Sequence, residues 1–286
     1  MTLGHKLVFG AASLGMAYGL PRQGAAANEA PSEAEASSLV ERALALGITT
    51  FDTAPAYGES EARLGRLLGA RGAVWTKVAA GDPSRSLAAS LERLQRPRVE
   101  LLQWHNWTES LGRDDAWLAA WAALRGDTRV VQLGATTYGV PDAVAAATSG
   151  LFDVVQCEFH VLNQGVVNAL AEHVARGAIK VATRSVLLQG ALTDDGRALP
   201  DLPSLRAGEA RARGAAEGVG LTRLAMRAAL EHRAIGHVLV GIDRCEQIEE
   251  AAGIASGPAL EPAVAAQVPA LDLGGDPACD PRKWPR

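Results

Sequence analysis

Short β-rich runs alternate with longer amphipathic stretches along almost the whole chain, and this alternation constrains the fold more than any other feature. Runs of branched apolar residues predict strands at 6–11, 48–52, 73–77, 99–105, 130–137, 154–159, 179–185 and 237–241. Apolar residues at helical spacing predict helices at 32–47, 60–69, 84–95, 114–126, 140–150, 163–177, 222–234 and 246–255. About eight strand–helix units is the number that closes a parallel barrel.

An open, doubly wound sheet is the competing architecture. Its dinucleotide fingerprint, G-x-G-x-x-G after the first strand, is absent, because Gly10, Gly15 and Gly19 have the wrong spacing. The strands are nearly continuous apolar runs, as a sheet covered on both faces requires. We therefore predict one α/β domain over 1–286, a (β/α)8 TIM barrel. Residues 192–207 are predicted to form a long loop, and an irregular tail is expected from about 257.

Composition excludes several classes of function. The net charge of −4 is mild, so we expect no nucleic-acid partner and no polybasic membrane patch. No apolar stretch approaches the ~20 residues that span a bilayer. Three cysteines far apart in the sequence do not resemble a disulfide framework or a zinc site. The expectation is a cytoplasmic protein without a metal, and the sequence leaves its oligomeric state open.

Ionisable residues occur where three neighbouring predicted strands end, the end of a barrel at which chemistry takes place. Asp52 ends the second strand, Lys77 the third and His105 the fourth. Tyr57 lies in the loop after Asp52. Each has a plainer interpretation alone, as a turn residue, a solvated strand end or a structural histidine. Those interpretations weaken together, because all four would have to reach one rim by chance.

The four side chains form a set suited to delivering a proton. A tyrosine hydroxyl has a pKa of about 10, and an adjacent ammonium lowers that pKa by favouring the phenolate. Asp52 would hold Lys77 charged and oriented, and a neutral His105 could donate a hydrogen bond to a carbonyl oxygen. The set therefore favours proton transfer to a carbonyl group. It contains neither a nucleophile nor a metal shell.

The sequence resembles the aldo-keto reductase family. The segment GITTFDTAPAYGESEARLG is similar to the family's first signature, and VWTKV and LLQWHNW match its lysine and histidine segments. VVQCEFHVLNQ, VATRSVLLQGALT and VLVGIDRCEQIEEA resemble its later strand and cofactor segments. The likeness extends from Lys6 to Ala255. KLVFGAASLGMAYG, RSVLLQG and DPRKW further resemble a bacterial subgroup often associated with sugar or polysaccharide pathways.

The resemblance implies a small-molecule carbonyl substrate and NADPH bound in an extended conformation across the barrel mouth. Tyr57 would be the general acid, Lys77 would lower its pKa, Asp52 would hold Lys77, and His105 would orient the carbonyl. The cofactor residues that it implies are Gly10, Ala11, Asp52, Thr136, Gln156, Arg184, Ser185, Leu187, Gln189, Gly190, Gly241, Asp243, Arg244, Gln247 and Glu250.

Three departures from the family pattern affect the cofactor. Thr136 and Thr137 replace the usual Ser-Asn pair, and Arg184 stands where many members stack an aromatic ring on the nicotinamide. Asp243 stands where a small polar residue often contacts the 2′-phosphate, although Arg244 beside it could attract that phosphate. NADPH is favoured, and NADH stays open.

The substrate pocket is expected to be lined by aromatic and imidazole side chains, which would suit a mid-sized polar carbonyl compound such as a keto sugar. These residues are Tyr18, Trp107, Tyr138, Phe159, His160 and Trp284. Core packing is an equal alternative for Trp107 and Phe159. Two other functions compete with reduction: a cofactor-binding sensor or regulatory subunit, and a net non-redox reaction such as epimerisation at the same site.

Overall fold

The strands of this chain form a closed ring. The structure is a computed structural model that describes residues 3–21, 28–78, 81–111 and 114–285. Within those residues, parallel strands pair in chain order, and β1 closes the ring by pairing with β8. The strands are β1 (Leu7–Gly10), β2 (Thr50–Asp52), β3 (Ala73–Val78), β4 (Val99–Trp104), β5 (Val130–Thr136), β6 (Val154–Glu158), β7 (Lys180–Arg184) and β8 (Ile235–Gly241). The predicted (β/α)8 barrel is confirmed.

Helices connect the strands and cover the outside of the barrel. They are α1 (Ala12–Gly15), α2 (Glu33–Ala45), α3 (Ser60–Leu68), α4 (Pro83–Leu94), α5 (Asp115–Ala122), α6 (Gly139–Thr148), α7 (Gly165–Ala175), α8 (Pro203–Ala215), α9 (Leu221–Glu231), α10 (Cys245–Ser256) and α11 (Pro262–Ala265). A capping box formed by Ser32 and Glu35 starts α2. The largest apolar cluster lies between the strands and these helices.

The inside of the barrel changes from apolar to polar toward its C-terminal mouth. A small apolar cluster including Trp75, Leu101 and Val154 fills the interior. Side chains two positions further along a strand point to the same face. Those positions hold Lys77, Gln103 and Gln156, all buried. The strands that carry this apolar cluster therefore also place three polar side chains directly above it, toward the mouth.

One predicted loop contains a helix. Residues 192–207 were expected to be irregular, but α8 begins at Pro203. Proline suits the first turn of a helix, and Leu205, Gly208, Ala212 and Ala215 form its buried face. Because three of these four residues are small, the hydrophobic pattern of this helix is weak.

The residues after α10 fold back onto the barrel. They form α11 and three short 3-10 turns, Val268–Leu271, Pro277–Cys279 and Pro281–Lys283. Leu271, Cys279 and Trp284 join a second apolar cluster with α8 and the loop after β7. Among the described residues, no helix is long and apolar enough to cross a membrane.

Candidate active site

Lys77 and Asp52 form a buried ion pair at the barrel mouth. Lys77 Nζ lies 2.6 Å from Asp52 Oδ2 and donates to the Thr53 carbonyl at 2.8 Å. The two side chains are 1% and 4% exposed, so water screens neither charge. Burial acts to lower the pKa of Lys77, but the charges of Asp52 and Tyr57 outweigh it, and the pKa is raised. Lys77 is therefore a permanent cation at neutral pH.

The second oxygen of Asp52 accepts two amide hydrogen bonds. Gln103 Nε2 and Gln156 Nε2 each donate to Asp52 Oδ1 at 3.0 Å, and Gln156 Nε2 also lies 3.0 Å from Gln103 Oε1. Residues on four strands thus share one network. A buried carboxylate with all of these partners has little freedom to rotate, so it fixes the position of Lys77.

Tyr57 stands over this network in the loop between β2 and α3. Its ring centroid is 4.8 Å from Lys77 Nζ. Ser60, fully buried, ties the loop down by donating to the Ala11 carbonyl at 2.7 Å and accepting from Thr53 at 2.8 Å. The loop therefore aims the tyrosine at the ammonium group through contacts that the sequence alone did not suggest.

Gly15 packs directly against the tyrosine loop. A Cβ at this position would lie 1.8 Å from the Tyr57 carbonyl oxygen and 2.4 Å from the Ser60 backbone nitrogen. We expect Gly15→Ala to displace Tyr57 and reduce turnover by on the order of 10²-fold, since a misplacement of about 1 Å can have that effect. The measurement is kcat on any accepted carbonyl, alongside the unfolding free energy.

The control for this change is Gly214→Ala in α8, where a Cβ meets nothing within 4 Å. Alanine is favoured over glycine in a helix by about 1 kcal/mol, so this variant should be equally active and at least as stable. Wild-type turnover in Gly15→Ala would show that the tyrosine loop tolerates displacement.

His105 follows β4 directly and faces Tyr57. The two rings are perpendicular, with centroids 6.1 Å apart. Burial lowers the pKa of His105 to about 4, and the charges of Lys77 and Arg184 act in the same direction, against Asp52. The imidazole is consequently neutral at neutral pH. A neutral ring can donate one hydrogen bond to a carbonyl oxygen without delivering its own proton.

A cleft leads away from this centre between the loops that follow β1, β7 and β8. Its lining includes Tyr18 and Ser185 as well as Asp243, Gln247 and Glu250. Tyr18 lies within electrostatic range of Tyr57 and Asp52, which places that part of the cleft beside the tetrad formed by Asp52, Tyr57, Lys77 and His105.

The turn after β7 lines this cleft with an unusual backbone. Ser185, Leu188 and Gln189 have φ values of 64°, 45° and 54°, a region that favours glycine. Such residues cost on the order of 1–3 kcal/mol each and concentrate at ligand-binding sites. Their position along the cleft indicates a segment shaped to contact a ligand.

A sequence model of the Aldo/keto reductase family matches residues 6–272. The chain belongs to the aldo/keto reductase family. The predicted resemblance is confirmed. Aldo/keto reductases are oxidoreductases that act on carbonyl compounds with nicotinamide cofactors.

Individual relatives show how far the likeness extends. L-galactose dehydrogenase of Arabidopsis thaliana is 29% identical over 272 residues, which are 85% of this chain and 81% of that protein. The holo form of an aldo-keto reductase from Bacillus halodurans superposes with a TM-score of 0.78 at 20% identity, covering 93% of this chain and 91% of its own. A putative aldo-keto reductase from Pseudomonas aeruginosa superposes with a TM-score of 0.66 at 21% identity, covering 88% of this chain and 89% of its own. At these identities the two solved structures support the fold alone.

More than half of the cofactor residues expected for this aldo/keto reductase line the cleft: Ser185, Leu187, Gln189, Gly190, Gly241, Asp243, Gln247 and Glu250. Others lie deeper or beside it. Ala11 is fully buried, and Gly10 is packed against the Val240 carbonyl. Thr136 accepts a hydrogen bond from the Asn106 backbone at 2.7 Å. Both hydrogen bonds of Gln156 Nε2 are made within the Asp52 network.

Arg184 stacks on the ring of Tyr138. Its guanidinium lies 4.0 Å from the ring centroid, and the guanidinium of Arg282 lies over the same ring at 3.3 Å. Arg184 also donates to the carbonyls of Gln156 and Thr137 at 3.0 and 2.7 Å. These contacts hold the cation at the mouth beside Tyr138 and connect the mouth to the C-terminal turns.

The packing of four expected pocket residues does not support a role in the pocket wall. Trp107 is 2% exposed and packs edge-on against Phe152, and Phe159 is 1% exposed in the same core cluster. Trp284 donates its indole N–H to the Ala278 carbonyl at 2.8 Å, which anchors the C-terminal turns. His160 is fully buried. Tyr18 and Tyr138 are the aromatic residues of the set that lie at the mouth.

His160 makes the C-terminal turns sensitive to acid. Its Nε2 lies 3.3 Å from the Cys279 carbonyl, and burial lowers its pKa to about 4, against the opposing effects of Cys279 and Asp272. The unfolded value is about 6.5. The stability linked to this depressed pKa is therefore fully present above about pH 6.5 and is lost as the pH falls toward 4.

Between pH 7 and about 4.5 the wild type should lose unfolding free energy as His160 becomes protonated. We expect the loss in His160→Gln to be smaller by roughly 2–3 kcal/mol. Urea unfolding at the two pH values measures this difference. His5→Gln, at an exposed position, is the control and should follow the wild-type pH dependence. A wild-type pH dependence in His160→Gln would exclude His160 as an acid-sensitive anchor.

Three functional features were not predicted from the sequence. Gln103 and Ser60 position the tetrad, and the TDDGR segment after β7 brings Asp195 and Arg197 to the cleft. The density of charges in that segment is a signal that could have identified it. Within the described ranges, no group of three or more His, Cys, Asp or Glu side chains gathers as a metal site.

Proposed function

We propose that this aldo/keto reductase converts an aldehyde or ketone to an alcohol, with NADPH as the hydride donor and Tyr57 as the general acid. The observation that carries this proposal is the buried Lys77–Asp52 pair beneath the Tyr57 ring. It provides a fixed positive charge next to the only acidic hydroxyl of the tetrad.

The ion pair would act on the tyrosine after it gives up its proton. When Tyr57 protonates the carbonyl oxygen, a phenolate is left, and the Lys77 ammonium stabilises that negative charge. Asp52 keeps the ammonium in place, so the stabilisation requires little rearrangement. The neutral imidazole of His105 donates a hydrogen bond that orients the carbonyl oxygen toward Tyr57.

The cleft fits an elongated anionic cofactor. Its walls come from backbone with left-handed turns, where peptide groups can approach a ligand closely, and from Gly241, whose added Cβ would reach 3.7 Å from Tyr18. Arg197 lines the cleft, and Arg244 lines a neighbouring pocket that shares Arg197 and Asp243 with it. When bound, the nicotinamide cofactor supplies the hydride. These two guanidiniums support NADPH, with NADH as a weaker alternative.

The mouth supports a polar, polyhydroxylated carbonyl substrate. Tyr18 offers an aromatic face and a hydroxyl, Tyr138 adds a hydroxyl, and Arg184 adds one cation that is partly compensated by Glu158 at 3.4 Å. Such a mixture suits a sugar-like compound. Because the plant relative is named L-galactose dehydrogenase, hexoses belong in the substrate panel in the oxidative direction as well.

The test is direct. The purified protein is mixed with NADPH or NADH and a panel of aldehydes, ketones and keto sugars, and loss of reduced cofactor is followed by absorbance. The reverse reaction is run with NADP⁺ or NAD⁺ and hexoses including L-galactose. We expect turnover with at least one polyhydroxylated compound. Tight cofactor binding without turnover on the whole panel would instead favour a sensor, and cofactor-dependent isomer exchange would favour an epimerase.

We also propose that the protein acts in a reducing, cytoplasmic environment. All three cysteines are unpaired, and Cys157 and Cys279 are buried. Burial raises the pKa of both thiols to about 12, which makes them unreactive as thiolates.

A further inference from the structure

The end of the cleft away from Tyr57 contains a carboxylate held between two guanidiniums. Asp195 Oδ2 lies 2.7 Å from Arg244 Nη2 and 3.4 Å from Arg197 Nη2. The two arginines come from different loops, after β8 and after β7. A single negatively charged oxygen thus connects the two sides of the cleft at this point.

Arg197 is part of a built site rather than an ordinary surface charge. Its side chain is 6% exposed, and its Nη1 donates to the Leu20 carbonyl at 2.9 Å. A Cβ on Gly190 would lie 2.9 Å from Arg197 Nε, so the side chain is packed directly on the strained turn. Its Nε is buried and has no hydrogen-bond partner in the part of the chain that the structure describes. One donor of a buried cation is therefore available to an anion.

Asp195 is held in place by its neighbour in the sequence. The carboxylate of Asp194 accepts from the backbone nitrogens of Leu221 and Thr222 at 3.0 and 3.1 Å, at the start of α9. This anchor fixes the loop, so Asp195 meets the two arginines in a defined position. The bridge does not depend on a freely moving side chain.

Further carboxylates surround the bridge. Asp243 Oδ1 lies 3.5 Å from Arg244 Nε, and Glu250 faces the same end of the cleft. Burial raises the pKa of Glu250, and the negative charges of Asp195 and Asp194 raise it further. The two cations are therefore already matched by acidic groups. An additional dianion would be attracted by the arginines and repelled by Asp195 at the same time.

The direction of the cleft identifies the anion. The reacting ring of a nicotinamide cofactor must lie beside Tyr57, so the opposite end of the molecule extends to these residues. NADPH and NADH differ at that end by a single phosphate on the adenosine ribose. Resting on the proposed function, we propose that Asp195 occupies the position between Arg197 and Arg244 that the 2′-phosphate of NADPH would take. It thereby limits the preference for NADPH over NADH.

Replacing Asp195 with asparagine removes the competing charge and keeps the shape. Dissociation constants are measured by titration calorimetry for NADPH and NADH, and for two unreactive nucleotides: 2′-AMP, which carries the 2′-phosphate, and 5′-AMP, which lacks it. We expect Asp195→Asn to lower the dissociation constants of NADPH and 2′-AMP by about tenfold, the effect of roughly 1.4 kcal/mol. Those of NADH and 5′-AMP should change by less than about twofold.

Two controls separate this role from a general change in charge. Asp201→Asn removes a carboxylate from the same connection, at a side chain that is 95% exposed, and should leave all four constants unchanged. Inorganic phosphate is titrated alone, since tighter binding of free phosphate than of 2′-AMP would assign the site to a free anion and overturn the proposal.

The remaining outcomes distinguish the role of Asp195 from the proposed reductase function. If the dissociation constants of NADPH and NADH fell equally in Asp195→Asn, or if their ratio did not change, the role of Asp195 would be overturned. The proposed reductase function would be unaffected. A wild-type protein that binds none of the dinucleotides or nucleotides would overturn both. Asp195→Asn that matches the wild type in melting temperature shows that the fold is unaffected.

Discussion

Replacing Tyr57 with phenylalanine should reduce kcat for carbonyl reduction by about 10²–10⁴-fold, the usual contribution of a positioned general acid. The ring would still cover Lys77, whose Nζ lies 4.8 Å from its centroid, so the loop should keep its shape. Only the proton that the hydroxyl delivers is lost. Cofactor affinity should stay close to the wild-type value, because the cleft is lined by other residues. Turnover and a cofactor titration on the same sample measure both quantities.

The chain provides its own controls, because its other two tyrosines are Tyr18 and Tyr138, both at the mouth. Tyr18→Phe and Tyr138→Phe remove a hydroxyl from the same surroundings without touching Lys77. We expect these variants to alter KM for a polar substrate more than kcat. A Tyr57→Phe enzyme with near-wild-type kcat would remove Tyr57 from its assigned role.

Replacing Lys77 with methionine should have the largest combined effect on stability and activity. The change leaves the Asp52 carboxylate buried with two amide donors and no cation. Breaking a buried pair in this way costs about 3–5 kcal/mol. Catalysis should fall as well, because the phenolate of Tyr57 loses its stabilising charge. Urea unfolding and kcat on an accepted carbonyl measure the two effects.

A second variant separates charge compensation from catalysis. In the double change Asp52→Asn with Lys77→Met, no uncompensated charge is buried, so most of the lost stability should return. Activity should stay low, since the ammonium is still absent. Lys180→Met, at an exposed strand end, is the control and should be neutral. An active double variant would mean that Tyr57 does not need Lys77.

The barrel and the meeting of ionisable residues at its rim could be predicted because both depend on local patterns. Strand and helix periodicities depend on residues that are close in the sequence, and the parallel strands of a barrel have all their C-terminal ends on one side. Asp52, Lys77 and His105 stand at those ends, so their meeting followed from the order of the strands. The buried contact of 2.6 Å between Lys77 and Asp52 agrees with that expectation.

Features that depend on distant contacts could not be predicted in the same way. Gln103 is one of two polar residues in an otherwise apolar strand, and its role depends on Lys77, which points inward from the neighbouring strand β3. Trp107 and Trp284 looked like pocket residues because aromatic side chains serve cores and pockets equally well. Their burial was decided by Phe152 and by the Ala278 carbonyl.

The pairing of β1 with β8 has a consequence for the chain while it is being made. Ribosomes add about 5–20 residues each second, so roughly 10–50 s pass between synthesis of Gly10 and of Gly241, its partner in the ring. For that time the hydrogen-bonding groups of β1 form an open edge that another nascent chain could bind. When β8 is complete, it pairs with β1, and this pairing removes the open edges of both strands. The protein is therefore protected from association with other nascent chains through these edges only near the end of its translation.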